Sequence, residues 1–183
     1  MRADSRPGSD DAAYARARLL ALDVDGTLTD GRILYSVAGD TLAFDVRDGL
    51  AIEWLAAAGV TVAWISGRAS NATLERAKKL HVPEIFVGVA DKHACLLELQ
   101  QRRGIERADT LAMGDDLPDL ALVPRAAALV APSDARPEVL AAADWVTQAA
   151  GGRGAVRELA ERMLRARGAW PALLARYAAG TRP

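Results

Sequence analysis

LDVDGTLTDG, Leu22 to Gly31, is the stretch on which the fold turns. Ala17, Leu19, Leu20, Ala21 and Leu22 read as a buried strand that ends at acidic residues, and Gly26 is where the backbone can turn sharply. Along an extended chain residues i and i+2 share a side, so Asp23 and Asp25 point together beyond the strand's carboxyl end. Open α/β sheets place their ligands in that crevice. Two carboxylates so close repel unless something cationic lies between them. A solvated turn would explain a bare acidic pair, but it has no need of the whole hexamer DVDGTL directly behind an apolar strand.

Working outward, the chain alternates. Residues 32–44 hold two short β-prone runs about a turn at Gly39 and Asp40, which predicts a β-hairpin just after the acidic motif. Residues 48–58 predict a helix stopped by Gly59, and Val60 to Ile65 a strand leading into Ser66, Gly67 and Arg68. Then follow a helix over 71–80, a strand at 84–87, a helix over 92–103 and a strand at 110–113 running into Gly114, Asp115 and Asp116. A short helix after Pro118, a strand near 127–130, a helix near 138–143 and a strand at 145–147 complete the series. Beyond Gly154, the spacing of Val156, Leu159, Ala160, Met163 and Leu164 marks one face of a helix. Strands alternating with helices predict an α/β fold with a parallel sheet between helices.

The 183 residues suit one domain, read as 13–170, after a loose polar leader over 1–12 and before a tail over 171–183. A formal charge of −1 gives no basic excess, so no nucleic-acid partner is expected. No apolar run approaches the roughly 20 residues that span a bilayer, so no membrane association is expected either. Cys95 stands alone and excludes an internal disulfide; it reads as a small packing residue on a helix. His81 and His93 lie in no zinc pattern. These features predict a soluble cytoplasmic protein.

Four polar sites fall at the ends of four predicted strands: Asp23 and Asp25, then Ser66, then Lys92, then Asp115 with Asp116 and Asp119. Taken singly each is weak, since Lys92 could be an ordinary helix-start lysine and GDDLPD a solvated turn. As an ordered set they resemble the four motifs of the haloacid dehalogenase superfamily, most of whose members are magnesium-dependent phosphatases. That resemblance implies a Rossmann-like fold in which the hairpin replaces a cap domain. It also implies that Asp23 is a nucleophile and Asp25 a general acid and base, with Ser66 and Lys92 on the transferring phosphoryl group. Mg2+ would be held by Asp23, Asp25 through its backbone carbonyl, and Asp115.

FDVRDG at 44–49, ISGR at 65–68, Asp91-Lys92, GDDLPD at 114–119 and GGRGAVREL at 151–159 resemble more narrowly the 3-deoxy-D-manno-octulosonate 8-phosphate (KDO 8-phosphate) phosphatase family, over roughly residues 17–170. The resemblance implies hydrolysis of that sugar-acid phosphate to KDO and phosphate, a step toward lipopolysaccharide. Asp45, Val46, Arg47, Asp48 and Gly49 would line the substrate pocket, with Arg68 and Arg76 on the anionic sugar. Relatives close a capless site by forming homotetramers through their hairpins, which reads Gly151–Gly154 as a flexible basic segment near a subunit interface. Asp45 stands where relatives commonly carry asparagine, and Glu53 where a basic contact is common. A nonulosonate 9-phosphate phosphatase is the nearest alternative. A receiver domain is a different class, but it carries its phosphorylated aspartate on a middle strand. A noncatalytic binding or assembly protein on the same scaffold would usually have lost a motif residue, and none is missing.

Overall fold

The computed structural model describes residues 11–37 and 39–181. Its strands are β1 (Leu19–Leu22), β2 (Leu34–Ser36), β3 (Gly39–Thr41), β4 (Thr61–Ile65), β5 (Glu84–Phe86), β6 (Thr110–Met113), β7 (Ala128–Ala131) and β8 (Trp145–Val146). Six of them form one parallel sheet in the order β5-β4-β1-β6-β7-β8, and β2 and β3 pair separately as the expected hairpin. The helices are α1 (Asp11–Arg16), α2 (Val46–Ala57), α3 (Asn71–Lys79), α4 (Lys92–Arg103), α5 (Pro137–Ala142), α6 (Ala155–Ala166) and α7 (Trp170–Ala178). Among the described residues no helix is long and apolar enough to cross a membrane.

The central strand β1 is LLAL and wholly buried, and its alternation fills two separate cores. Leu20 and Leu22 meet Trp64, Leu111, Met113 and the inner faces of α2 and α6, whereas Leu19 and Ala21 meet Ile65, Leu96, Leu99, Leu122 and Val139 on the other side. A strand covered on both faces explains why the run is continuously apolar rather than alternating with polar residues. Each large side chain buried there contributes roughly 1.5–3 kcal/mol. Cys95 packs at the margin of the second core, as its sequence position suggests.

Element ends differ from expectation where side chains cap the backbone. Helix α2 begins at Val46, two residues early, because the Asp45 carboxylate accepts the Arg47 amide at 2.7 Å. The short helix after Pro118 is a 3-10 segment, Leu117–Arg125, started by Asp116 and Asp119 in a capping box. Ser36 pairs with Gly39, which places Gly39 and Asp40 in β3 rather than in the turn. The leader expected over 1–12 lies outside the described residues except for Asp11 and Ala12, which start α1. The 171–183 tail supplies most of α7, and there Tyr177 Oη accepts the Trp54 indole N–H at 2.8 Å.

Candidate active site

Strand order sets the site. β1 lies between β4 and β6, and Leu22 pairs in register with both Trp64 and Met113. The residues that leave these three strands therefore emerge side by side. The Asp23 amide extends the ladder by donating to the Met113 carbonyl at 2.9 Å, after which Thr27, Leu28 and Thr29 all donate back to the Val24 carbonyl and curl the chain into a turn. Asp23 and Asp25 face the crevice on either side of Val24, which is fully buried. Gly26 is required twice over: its φ is +100°, and a Cβ there would stand 2.1 Å from an Asp115 carboxylate oxygen.

Asp23 is 6% exposed, and its Oδ1 accepts Lys92 Nζ at 2.5 Å. The same ammonium donates to Asp119 Oδ1 at 2.7 Å. Lys92 is indeed the first residue of a helix, capped by Asp91, yet it is 5% exposed and bridges two buried carboxylates. A solvated helix-start lysine would do neither. Asp119, left undecided by the sequence, is buried and uses its other oxygen to accept the Asp115 and Asp116 amides at 2.9 and 3.1 Å, so it positions both the lysine and the loop that carries Asp115.

Asp25 turns the other way. Its Oδ2 lies 3.2 Å from Ser66 Oγ, and its Oδ1 accepts Arg68 Nη2 at 2.5 Å. Arg68 also donates through Nη1 to Asp40 Oδ2 at 2.6 Å. Thr27 donates its hydroxyl to Asp115 Oδ1 at 3.3 Å, and the Thr29 hydroxyl ties Val24, Gly26 and Gly31 together. Thr27, Thr29 and Asp40 escaped the sequence reading. The threonines were within reach of it, since a hydroxyl inside a turn commonly bonds the local backbone. The local signal of Asp40 is that of a turn residue beside Gly39 and does not point to the site.

Asp23, Asp115 and Asp119 each bring a carboxylate oxygen within 4.8 Å of the others, a donor set of hard oxygens that fits Mg2+. Asp119 already spends both oxygens on Lys92 and the backbone, which leaves Asp23 and Asp115 better placed as ligands. The Asp25 side chain is engaged by Ser66 and Arg68, so residue 25 would join through its backbone oxygen. Burial and the charge of Asp119 push Asp23 well up, against the pull of Lys92, and the same two causes push Asp115 to about 6. A carboxyl raised on folding favours the protonated fold, so the metal-free chain loses stability as pH rises from the unfolded value of about 4 through about 6. A cation binding the ionised form competes with protons. At pH 5, where Asp115 is about nine-tenths protonated, apparent Mg2+ affinity is expected to be about tenfold weaker than at pH 8. Titration calorimetry at the two pH values checks this, and equal affinities would remove Asp115 from the ligand set.

The other candidate residues form a second group. Asp45 pairs with Arg47 at 2.6 Å, which holds its carboxyl below the usual range, and caps α2; an asparagine could cap the same helix. Asp48 is buried and accepts the Gly154 and Arg157 amides at 3.2 and 2.7 Å. Val46, Gly49 and Arg76 line a cleft of about 390 Å³ together with Leu50, Glu53, Leu80 and Tyr177. Glu53 thus shares a cleft with Arg76. No described contact joins residues 45–49 or Arg76 directly to Asp23 or Asp25.

Gly151–Gly154, expected to be a flexible basic segment near a subunit interface, is held by backbone contacts within the chain. The Gly152 amide donates to the Thr27 carbonyl and the Gly151 amide to Asp134, each at 2.9 Å. A Cβ on Gly151 would stand 1.7 Å from the Gly26 carbonyl oxygen, so these glycines permit backbone-to-backbone contact with the acidic turn. Arg153 is exposed and lies 3.4 Å from Asp30.

The chain is similar to proteins of known family. The haloacid dehalogenase-like hydrolase family matches residues 82–159. The 3-deoxy-D-manno-octulosonate 8-phosphate phosphatase of Escherichia coli K12 is 38% identical over 152 residues, covering 82% of this chain and 81% of its own. A crystal structure of the Moraxella catarrhalis 3-deoxy-D-manno-octulosonate 8-phosphate phosphatase, in complex with magnesium, phosphate and KDO, is 38% identical. It matches with a TM-score of 0.88 over 91% of this chain and 97% of its own. The cobalt-bound Haemophilus influenzae deoxy-D-mannose-octulosonate 8-phosphate phosphatase is 34% identical, with a TM-score of 0.82 over 85% of this chain and 92% of its own.

Proposed function

Because this chain belongs to the 3-deoxy-D-manno-octulosonate 8-phosphate phosphatase family of haloacid dehalogenase-like hydrolases, we propose that it hydrolyses KDO 8-phosphate to KDO and inorganic phosphate with Mg2+, a step toward lipopolysaccharide. The observation that carries the reading is the meeting of Asp23, Asp25, Ser66, Lys92 and Asp115 at the ends of adjacent parallel strands.

Asp23 attacks phosphorus: a bond forms between its carboxylate oxygen and phosphorus as the bond from phosphorus to the sugar oxygen breaks. Asp25 gives that oxygen its proton. The resulting aspartyl phosphate is then attacked at phosphorus by water, whose proton returns to Asp25, and phosphate leaves with Asp23 restored. The difficulty is charge, since two unit charges about 4 Å apart repel by about 4 kcal/mol at an effective dielectric near 20. Lys92 supplies one cation against Asp23. Asp23, Asp115 and the Asp25 backbone carbonyl would hold Mg2+, which would supply the remaining positive charge as a Lewis acid. Ser66 Oγ, beside Asp25, offers a hydrogen bond to the transferring group.

Arg68 stands next to Asp25 and suits the sugar carboxylate. Asp45, Val46, Arg47, Asp48, Gly49 and Arg76 remain contacts for the sugar acid on this reading. Asp48 is tied to Gly154, and Gly152 to Thr27 of the acidic turn, which supports a pocket continuous with Asp23 and Asp25. The surface that favours assembly is the hairpin, where Leu34 and Tyr35 are 70% and 77% exposed and Val37 is fully exposed. A homotetramer built through the hairpins buries these side chains. Tyr35→Glu is expected to give smaller particles in size-exclusion chromatography with light scattering, with activity falling alongside. An unchanged mass would count against assembly through the hairpin. With a single cysteine and no need of a disulfide, the protein is assigned to the cytoplasm.

The deciding experiment is a panel of sugar phosphates assayed with Mg2+. KDO 8-phosphate is expected to give the highest kcat/KM; a clear preference for a nonulosonate 9-phosphate would reassign the substrate, and no hydrolysis of any phosphomonoester would end the reading.

A further inference from the structure

The hairpin carries one inward-turned acid whose role nothing above assigns. Asp40 lies in β3, and its carboxylate is 14% exposed although the rest of the hairpin is mostly open to solvent. Its Oδ2 accepts both Arg68 Nη1 and Ser70 Oγ, each at 2.6 Å. Arg68 extends its other terminal nitrogen to Asp25 Oδ1 at 2.5 Å, while Ser66 Oγ lies 3.2 Å from Asp25 Oδ2. The planar guanidinium is therefore stretched between two carboxylates, one on the hairpin and one in the site. A guanidinium held on one edge by a charged partner keeps less freedom on the other edge. Ser70 adds a second anchor, fixed in turn as the N-cap of α3, where it accepts the Thr73 amide at 3.2 Å.

We infer that Asp40 is a positioning residue for the acid–base group: by holding Arg68 from the hairpin side, it fixes the Asp25 carboxylate against the departing oxygen of the substrate. The chain of contacts runs Ser70 and Asp40, Arg68, Asp25. It leaves other N–H groups of Arg68 for the sugar acid, so both roles of that arginine are compatible. The inference rests on the phosphatase reading given above, in which Asp25 protonates the leaving oxygen. It also gives the hairpin a part in the chemistry of its own chain, apart from any part in assembly.

The leaving group provides the test. An alkyl alcohol leaves badly without a proton, whereas 4-nitrophenolate leaves well without one. If Asp40 acts through Asp25, its loss harms the alkyl ester more. In Asp40→Asn and Asp40→Ala, kcat/KM for KDO 8-phosphate and for an alkyl phosphate without a carboxylate is expected to fall about tenfold and that for 4-nitrophenyl phosphate by less than about threefold, a fraction of the roughly 10² to 10⁴ that positioned acid–base catalysis supplies. Light scattering and thermal unfolding are recorded for both variants. Equal losses on the alkyl and 4-nitrophenyl esters, no loss on any of them, or a loss confined to KDO 8-phosphate, which would make Arg68 a sugar-acid contact only, would overturn the inference. The wild-type chain tests the underlying reading separately. If it turns over other alkyl phosphates but not KDO 8-phosphate, the substrate assignment fails, and the same ratio is measured with the alkyl phosphate it accepts.

Discussion

Asp23→Asn is expected to fold and to release phosphate at least about 10³-fold more slowly than the wild-type chain, the scale on which removal of a covalent nucleophile is felt. An amide nitrogen or oxygen in that position does not attack a phosphate dianion, and the neighbouring carboxylates do not replace it. Asp119 is held by Lys92 and two backbone amides, and Asp25 by Arg68 and Ser66. Unfolding is not the cause of the loss. Burial and Asp119 raise the Asp23 carboxyl well above its ordinary value, so its ionised form destabilises the metal-free fold at neutral pH. Removing that charge leaves Lys92 its second partner, Asp119, at 2.7 Å. The thermal midpoint of the metal-free variant at pH 8 should therefore equal or exceed that of the wild type. Phosphate release near the wild-type rate from a folded variant would end the covalent mechanism.

How far the sequence reaches can be judged from particular residues. The strands were legible because β1, β4 and β6 are short apolar runs that each end at a glycine or a polar group, and β7 is one that ends at Pro132; period and length suffice to tell them from helices. The site was legible for the same reason, since strand ends in a parallel sheet converge whatever the loops do. Pairings across the chain were not. Asp40 looked like turn chemistry beside Gly39, and its partner is a guanidinium 28 residues further on. Asp119 matched a spacing, but nothing local told that it would share Lys92 with Asp23. Glycine content was also ambiguous at 151–154, where two glycines permit close backbone approach. Helix α7 passed as a tail although Trp170, Leu173, Leu174 and Tyr177 have helical spacing; nine residues are too few to nucleate a helix alone, and packing on Trp54 supplies the rest.

The second large effect is expected at Lys92. Its ammonium stands between Asp23 and Asp119, all three nearly buried, and truncation to alanine leaves two carboxylates crowded with Asp115 and no cation among them. Breaking a buried ion pair from one side costs about 3–5 kcal/mol, so Lys92→Ala should lose that much in urea unfolding of the metal-free chain at pH 8. The sign with pH follows from both partners. Burial lowers the lysine's pKa, but Asp23 and Asp119 outweigh it and leave it raised, so its stabilisation is fully present below the unfolded value of about 10.4 and is lost only as pH rises through the still higher folded value. In the variant the carboxyls can escape by taking protons, as Asp115, at about 6, already tends to do. The penalty should accordingly be smaller at pH 5 than at pH 8. Saturating Mg2+ at pH 8 returns a positive charge to the same carboxylates and should recover part of the stability. It should not recover turnover, for the ammonium also faces the charge that develops on the transferring group, and loss of one such donor costs about 10² to 10³ in kcat. A Lys92→Ala chain as stable as wild type at pH 8 without metal would mean that the aspartates are protonated in the native fold, and the account of Lys92 as the resident counter-charge of Asp23 would fall with it.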